Sequence, residues 1–261
     1  MTNTPEPVVV ITGGANGIGE SCARLLRTEG LTPVLVDLDE SAGRRLAAEL
    51  GSPFYRADVA DEAAMAELVE RIEIEVGAVD GLINSAGIVQ NPLPPDQLAM
   101  DVWDLVVRID QRGTYVSCVA FGKQMAIRRR GSIVNVASVT GLRSVPLHAY
   151  GPAKAAVISI TKCLAAEWGR AGVRVNTVSP GYTQTARVKR RFEIGERDPA
   201  AYRENSALGR MVEPIEIAEA CGFLLSDKAS GITGINLPVD CGWLLAGSWA
   251  NYGGLRGSPG N

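Results

Sequence analysis

The sequence predicts an α/β fold: a parallel sheet doubly wound, with helices on both faces. Three observations predict it. Short β-branched apolar runs alternate with longer stretches whose apolar residues recur at helical spacing, from Val8 to Val239. A glycine-rich turn, Gly13-Gly14-Ala15-Asn16-Gly17-Ile18-Gly19, joins the first run to the first helical stretch. The chain has 261 residues, of which 46% are apolar and 21% charged, enough for one large domain with a buried core. No repeat, linker or low-complexity block marks a second domain, so residues 1–261 are read as one.

Val8 to Thr12 reads as a buried strand, and the helix after the glycines turns Ile18, Cys22, Leu25 and Leu26 inward before stopping at Gly30. Gly13, Gly17 and Gly19 suit close backbone approach to a pyrophosphate, which would sit at the positive end of that helix. A tight turn without a ligand has the same appearance. Pro33 to Val36 is the next strand, closed by Asp37. An acid about 20 residues past such glycines is where a ribose 2′-hydroxyl is bound. Asp37 would repel a 2′-phosphate and no Arg or Lys stands in the turn, so the expected cofactor is NAD rather than NADP. The alternative is a solvated Asp37 before a helix that starts at Asp39–Glu40.

Ser41 to Leu50 reads as a helix ended by Gly51, Pro53 to Ala57 as a strand followed by Asp58-Val59, and Glu62 to Val76 as a helix with a core-facing stripe. Val79 to Ile83 is a fourth strand, ending in Asn84-Ser85-Ala86-Gly87. Gly13, Asp37, Asp58 and Asn84 thus all fall at strand ends, where one ligand could touch all four. Asp96 to Arg129 is mostly helical, with Arg128-Arg129-Arg130 as a cap on its dipole. Ile133 to Ala137 is a fifth strand with Ser138 at its end.

In Tyr150-Gly-Pro-Ala-Lys154, a phenol and an ammonium four apart share one helix face. A phenol titrates near ~10. A neighbouring cation favours the phenolate, which makes the pair a candidate acid/base for a carbon-bound oxygen. Val173 to Val178 is a sixth strand. Residues 186–209 break the apolar rhythm, and their cluster Arg187, Lys189, Arg190 and Arg191 is read as a solvated face rather than an anion lure. Pro214 to Ser226 is a helix, Gly234 to Val239 the last strand, and residues 243–261 a Gly-rich tail carrying Trp243, Trp249 and Tyr252.

A net charge of −3 argues against nucleic acid as a partner. No run approaches the ~20 apolar residues needed to cross a bilayer, and the first residues lack the order of a secretory signal. Five scattered cysteines fit reduced core thiols of a cytoplasmic protein. A lone His148 argues against a histidine metal centre, so no metal is expected.

The motifs Thr12-Gly13-x-x-x-Gly17-x-Gly19, Asp58-Val59, Asn84-x-Ala86-Gly87, Ser138, Tyr150-x-x-x-Lys154 and Pro180-Gly181 occur in the order of the short-chain dehydrogenase/reductase superfamily, and the chain resembles its branch of about 250 residues. The resemblance spans residues from about 8 to 242. It implies a seven-stranded Rossmann sheet, commonly in homotetramers, acting on a small-molecule substrate. It implies that Ser138 holds the substrate oxygen, Tyr150 passes the proton, and Lys154 lowers the phenol's pKa and binds the nicotinamide ribose. Cofactor contacts carried over are Gly13, Asn16, Gly17, Ile18 and Gly19 in the turn, then Asp37 and Leu38. They continue through Asp58, Val59, Asn84, Ala86 and Gly87 to Pro180, Gly181, Thr183 and Thr185, with Tyr150 and Lys154 shared.

One position departs from the family. Asp110 stands where the family usually has Asn, in a kinked helix beside a water that leads toward the lysine. An ionised Asp110 would favour protonated Lys154; a merely tolerated Asp is the other reading, and its backbone carbonyl is expected to remain open to the water. By resemblance residues 186–209 form a lid, and Val89, Gln90, Thr140, Leu142, Ser144, Leu147 and His148 are substrate-lining candidates. The tail is expected at a subunit interface. The expected activity is hydride transfer between NAD(H) and a secondary alcohol or ketone. A 3-oxoacyl thioester reductase and a non-catalytic NAD-binding regulator stay open.

Overall fold

The structure, a computed structural model, describes residues 6–256; the first and last five residues of the expected domain lie outside the described residues. β1 (Val8–Thr12) is buried along its whole length, as a strand covered on both faces must be. Helix α1 (Gly17–Thr28) follows, then β2 (Thr32–Asp37) and α2 (Glu40–Leu50). Asp39 caps α2 by accepting from Ala42 N–H at 3.0 Å, and Gly51 ends it at φ 62°. β3 (Phe54–Arg56), α3 (Glu62–Glu75) and β4 (Val79–Asn84) complete the first half.

Residues 96–129 are mostly helical, as expected. Helix α4 (Met100–Val106) passes into a π-helical segment (Val107–Gly113) before α5 (Thr114–Arg128). The rest is β5 (Gly131–Val136), α6 (Tyr150–Trp168), β6 (Val173–Pro180), α7 (Ala186–Glu193), α8 (Pro199–Glu204), α9 (Pro214–Leu225), β7 (Asn236–Val239) and α10 (Trp243–Ala246). Among the described residues, no helix is long and apolar enough to cross a membrane.

Seven parallel strands lie in the order β3-β2-β1-β4-β5-β6-β7. Alternate residues of each strand feed opposite faces. Val8 and Val10 pack with α3 and α5 side chains such as Ile72 and Phe121, while Val9 and Ile11 pack with Cys22, Leu26 and Leu224 of α1 and α9. Strand order reverses between β1 and β4, so the connections leave in opposite directions and open a crevice at the carboxyl ends.

Under that crevice runs a buried polar chain. Thr12 Oγ1 donates to Asn84 Oδ1 at 3.4 Å, Asn84 Nδ2 to Asn135 Oδ1 at 2.8 Å, and Asn135 Nδ2 to Thr161 Oγ1 at 2.9 Å. It ties β1, β4 and β5 to α6. Beside it, burial pushes the Cys118 thiol up to about 12.

Arg128, Arg129 and Arg130 stand at the C-terminus of α5 as expected: Arg128 closes its last turn, Arg129 ends it in the left-handed conformation at φ 56°, and the Arg130 N–H reaches the Met125 carbonyl. The five cysteines are free thiols, but Cys163 is exposed rather than in the core.

Asn135→Ala removes the bonds to Asn84 Nδ2 and Thr161 Oγ1, which keep only their bonds to Cys118 Sγ and the Val157 carbonyl, and is expected to cost about 1–3 kcal/mol in all. A chemical denaturation midpoint equal to that of the native protein would contradict the bracing role.

Candidate active site

A cavity of about 820 Å³ opens over the carboxyl ends of the strands, within the ~300–1,000 Å³ typical of ligand and cofactor sites. Asp37 and Leu38 line one end, Gly13, Asn16, Gly17 and Ile18 the middle, and Ser138, Tyr150 and Lys154 the other end. Asp58, Val59, Ala86, Gly87, Pro180, Gly181, Thr183 and Thr185 also line it. Gly19, Asn84 and Asp110 do not. Gly19 is there for packing, since a Cβ would run into the Gly13 carbonyl. Asn84 is buried in the polar chain below.

The turn is shaped to admit an anion. Gly13 sits at φ 65°, and a Cβ there would lie 2.7 Å from the Ala86 backbone, so only glycine lets β1 and β4 close at this point. Asn16 gives α1 no side-chain cap, and the first-turn N–H groups stay available where Gly17 and Ile18 face the cavity. Asp37 Oδ2 accepts from Ala15 N–H and Oδ1 from Asp39 N–H, both at 3.0 Å, which fixes the carboxylate while leaving lone pairs for a diol. Asp58, expected at the ligand, also has other partners: it accepts from Ala60 N–H at 2.9 Å and pairs with Arg108 at 2.5 Å. These features fit a dinucleotide, with pyrophosphate at the turn and one ribose at Asp37.

At the far end, Ser138 Oγ accepts from Thr140 N–H at 3.2 Å, so its own proton remains available to donate. Tyr150 and Lys154 both ride on α6. The start of that helix has no Ser, Thr, Asp or Asn cap, and its donors are satisfied from elsewhere. Gln90 Oε1 accepts from Ala149 N–H at 3.1 Å and Tyr150 N–H at 2.8 Å; Gly151 N–H reaches the Leu147 carbonyl, and Pro152 has no N–H. Gln90, a candidate for substrate lining, is thus a helix cap. Of the other candidates, Val89 lines the cavity and Thr140, Leu142, Leu147 and His148 do not. The uncapped α6 start was the available sequence signal for a remote cap, but it does not say which residue supplies it.

Lys154 is 3% exposed, with Nζ 5.5 Å from the Tyr150 ring centroid. The ammonium donates to the Val136 carbonyl at 3.0 Å and pairs with Asp110 Oδ2 at 3.2 Å. Asp110 is fully buried in the π-helical segment, and its Oδ1 accepts from Ile88 N–H at 2.9 Å. Its carbonyl, expected to be open to a water, accepts from the Thr114 hydroxyl at 2.7 Å.

Burial raises the Asp110 carboxyl's pKa, against the lowering pull of Lys154 and the Ile88 N–H. Burial opposes the charged ammonium of Lys154, but the Asp110 and Tyr150 charges win and hold it above the usual lysine range. The phenol departs from expectation. Burial, reinforced by the Asp110 charge, raises the Tyr150 pKa, and Lys154 with a Ser138 hydrogen bond only offsets this. Burial thus outweighs the lowering pull of the ammonium, and the adjacent carboxylate adds to the rise.

The lid is also corrected in part: Arg187, Arg191 and Arg197 line the cavity rather than forming only a solvated face. Among the described residues, no group of three His, Cys, Asp or Glu side chains could hold a metal.

Comparison with known proteins agrees with this geometry. A family model described as enoyl-(acyl carrier protein) reductase matches residues 13–244. The chain is 36% identical to D-threitol dehydrogenase of Mycolicibacterium smegmatis, over 91% of this chain and 93% of that one. It is 38% identical to meso-2,3-butanediol dehydrogenase of Serratia marcescens, over 90% and 93%. Among solved structures, a Brucella melitensis 16M chain described as ribose-5-phosphate isomerase superposes with TM-score 0.94 at 51% identity, covering 97% of this chain and 98% of that one. ElxO with NADP bound gives TM-score 0.88 at 28% identity, over 92% and 99%.

Asp110→Asn removes the negative charge and leaves the Lys154 cation, so the Tyr150 phenol is expected to titrate at lower pH than in the native protein. Ultraviolet difference titration, with Tyr150→Phe as the blank, reads that residue alone. An unmoved or raised titration would contradict the charge balance described above.

Proposed function

The chain belongs to the short-chain dehydrogenase/reductase family, and we propose that it interconverts a small secondary alcohol, of the polyol or cyclic-alcohol class, with its ketone using NAD(H). The convergence of Ser138, Tyr150 and Lys154 at one end of a dinucleotide-length cavity carries this reading. Bound at that cavity, the nicotinamide supplies the hydride acceptor or donor.

The chain's own groups do the rest. The first turn of α1 holds pyrophosphate on backbone N–H groups, and Asp37 accepts from the ribose diol. Pro180, Gly181, Thr183 and Thr185 would hold the nicotinamide end, and Ala86 and Gly87 line the same cavity. Ser138 donates to the substrate oxygen and fixes it beside Tyr150. Tyr150 Oη takes the alcohol proton in oxidation and returns it in reduction, a role typically worth 10²–10⁴-fold. Lys154 binds ribose hydroxyls and opposes the burial that raises the phenol. Asp110 balances the ammonium's charge, as a positioning residue behind it.

Reduction of a 3-oxoacyl thioester is the same chemistry in reverse and draws on the acyl-carrier description of the matching family model. A second reading, aldose–ketose isomerisation, draws on the description of the 51%-identical Brucella chain. Isomerisation consumes no dinucleotide, so accumulation of NADH separates it from oxidation. The reactive trio and the named dehydrogenase relatives support an enzyme over a cofactor-binding regulator. Homotetramer assembly is supported by the family resemblance and by exposed apolar side chains on α4 and α5, including Leu105, Tyr115 and Ile127. Free thiols suit a reducing, cytoplasmic setting.

With a panel of vicinal diols and cyclic alcohols, the native protein is expected to form NADH and Tyr150→Phe to lose at least ~100-fold in kcat while still binding NAD⁺. Near-native turnover by Tyr150→Phe would remove the acid/base assignment. Asp37→Ala is expected to narrow the preference for NAD⁺ over NADP⁺, measured as the ratio of kcat/KM values. A native preference for NADP⁺ would defeat the cofactor assignment.

A further inference from the structure

A second cavity, of about 330 Å³, lies beside the first and is lined by Arg143, Ser144, Asn205, Tyr182, Tyr202 and Trp243, among others. Its walls connect it to the reactive end. Arg143 follows Ser138 by five residues, and Tyr182 directly follows Gly181 of the main cavity. The Tyr202 hydroxyl accepts from Arg197, which lines the main cavity, at 3.0 Å. The rings pack edge to face into a wall, with the Tyr182 ring centroid 4.6 Å from that of Tyr202 and 5.4 Å from that of Trp243.

Arg143 supplies the charge. Its guanidinium lies 5.1 Å over the Trp243 ring, and among the described residues its one hydrogen bond is to the Trp243 carbonyl, at 3.3 Å. Gly247 leaves space for it, since a Cβ there would collide with the guanidinium. No carboxylate lines this cavity. A half-buried guanidinium held over an indole, with a hydroxyl and an amide among the cavity's lining, is a donor set for a carboxylate or phosphate. Three more guanidiniums, of Arg187, Arg191 and Arg197, line the main cavity, together with the carboxylates of Glu20, Asp37, Asp39 and Asp58.

We propose that Arg143 clamps an anionic group of the substrate, so that the alcohol oxidised at Tyr150 carries a carboxylate or phosphate reaching into the second cavity. The turnover part of this rests on the oxidoreductase reading above; the anion site stands on its own lining. The competing role for Arg143 is mechanical, holding the tail through Trp243.

The test compares NADH formation from threitol, threonate and threitol 4-phosphate. In the native protein, kcat/KM for one anionic member is expected to exceed that for threitol by roughly 10–100-fold, and which member wins identifies the group. In Arg143→Gln the ratio of anionic to neutral kcat/KM is expected to fall toward one, and Arg143→Lys to recover part of it. Because the ratio is taken within each variant, a general loss from a loosened tail cancels. A native ratio near one, or a ratio unchanged by Arg143→Gln, would overturn the clamp.

Binding is read separately, with saturating NAD⁺ present. Inorganic phosphate or acetate is expected to change tryptophan emission in the native protein and not in Arg143→Gln. No native response, or an equal response in both, would also overturn it. Threitol oxidation without an anion preference would leave the oxidoreductase reading standing and sink the clamp. An anion response with no NADH from any member would do the reverse.

Discussion

The buried pair between Lys154 and Asp110 is the constraint on which the rest of the site depends. An ammonium 3% exposed needs compensation, because desolvating a charge costs several kcal/mol unless it is paired and hydrogen-bonded. The chain supplies this from two sides: the Val136 carbonyl at the end of β5 and the Asp110 carboxylate from the π-helical segment. Lys154 is therefore tied between a strand end and a helix break, and Tyr150, one turn earlier on α6, is carried with it. The α-helical ladder is interrupted where the carboxylate is presented, and Ile88 N–H secures its other oxygen.

The same pair sets the electrostatics. Burial is the larger effect on the phenol; the Lys154 ammonium opposes it, the Asp110 carboxylate adds to it, and the phenol stays protonated to higher pH. The chemistry of the centre is thus tuned by a side chain that does not line the cavity. Positioning is shared out in a similar way. Gln90 satisfies the first donors of α6, and the chain from Thr12 through Asn84 and Asn135 to Thr161 fastens that helix to the sheet.

The sheet and the dinucleotide end were legible in the sequence because local chemistry dictates them. Glycines at a strand-to-helix turn, an acid closing the next strand, and apolar runs of two different periods each act within a few residues. Gly13, Asp37, Ser138, Tyr150 and Lys154 all line one cavity, as read. What escaped was long-range. Gln90 caps a helix 60 positions away, and nothing around it in sequence marks that role. Arg128 closes the last turn of α5 as read, but its side-chain partners, Glu73 and the Val79 carbonyl, are ones only the fold brings near. Trp243, one of the tail aromatics read as docking, packs against Arg143 and Tyr182 of its own chain, contacts that nothing near it in sequence marks, while Trp249 and Tyr252 are exposed in the single chain. For the Tyr150 phenol, spacing reveals the lowering pull of Lys154 but not the burial that outweighs it.

The central claim is that a hydrogen leaves the substrate carbon as hydride and goes to the nicotinamide, while Tyr150 takes only the hydroxyl proton. It is tested most directly with 2,3-butanediol carrying deuterium on its carbinol carbons, incubated with NAD⁺, followed by mass spectrometry of the nicotinamide product. The account predicts reduced cofactor heavier by one deuterium. Reduced cofactor without deuterium, or diol whose deuterium is lost to solvent with no cofactor reduced, would contradict it.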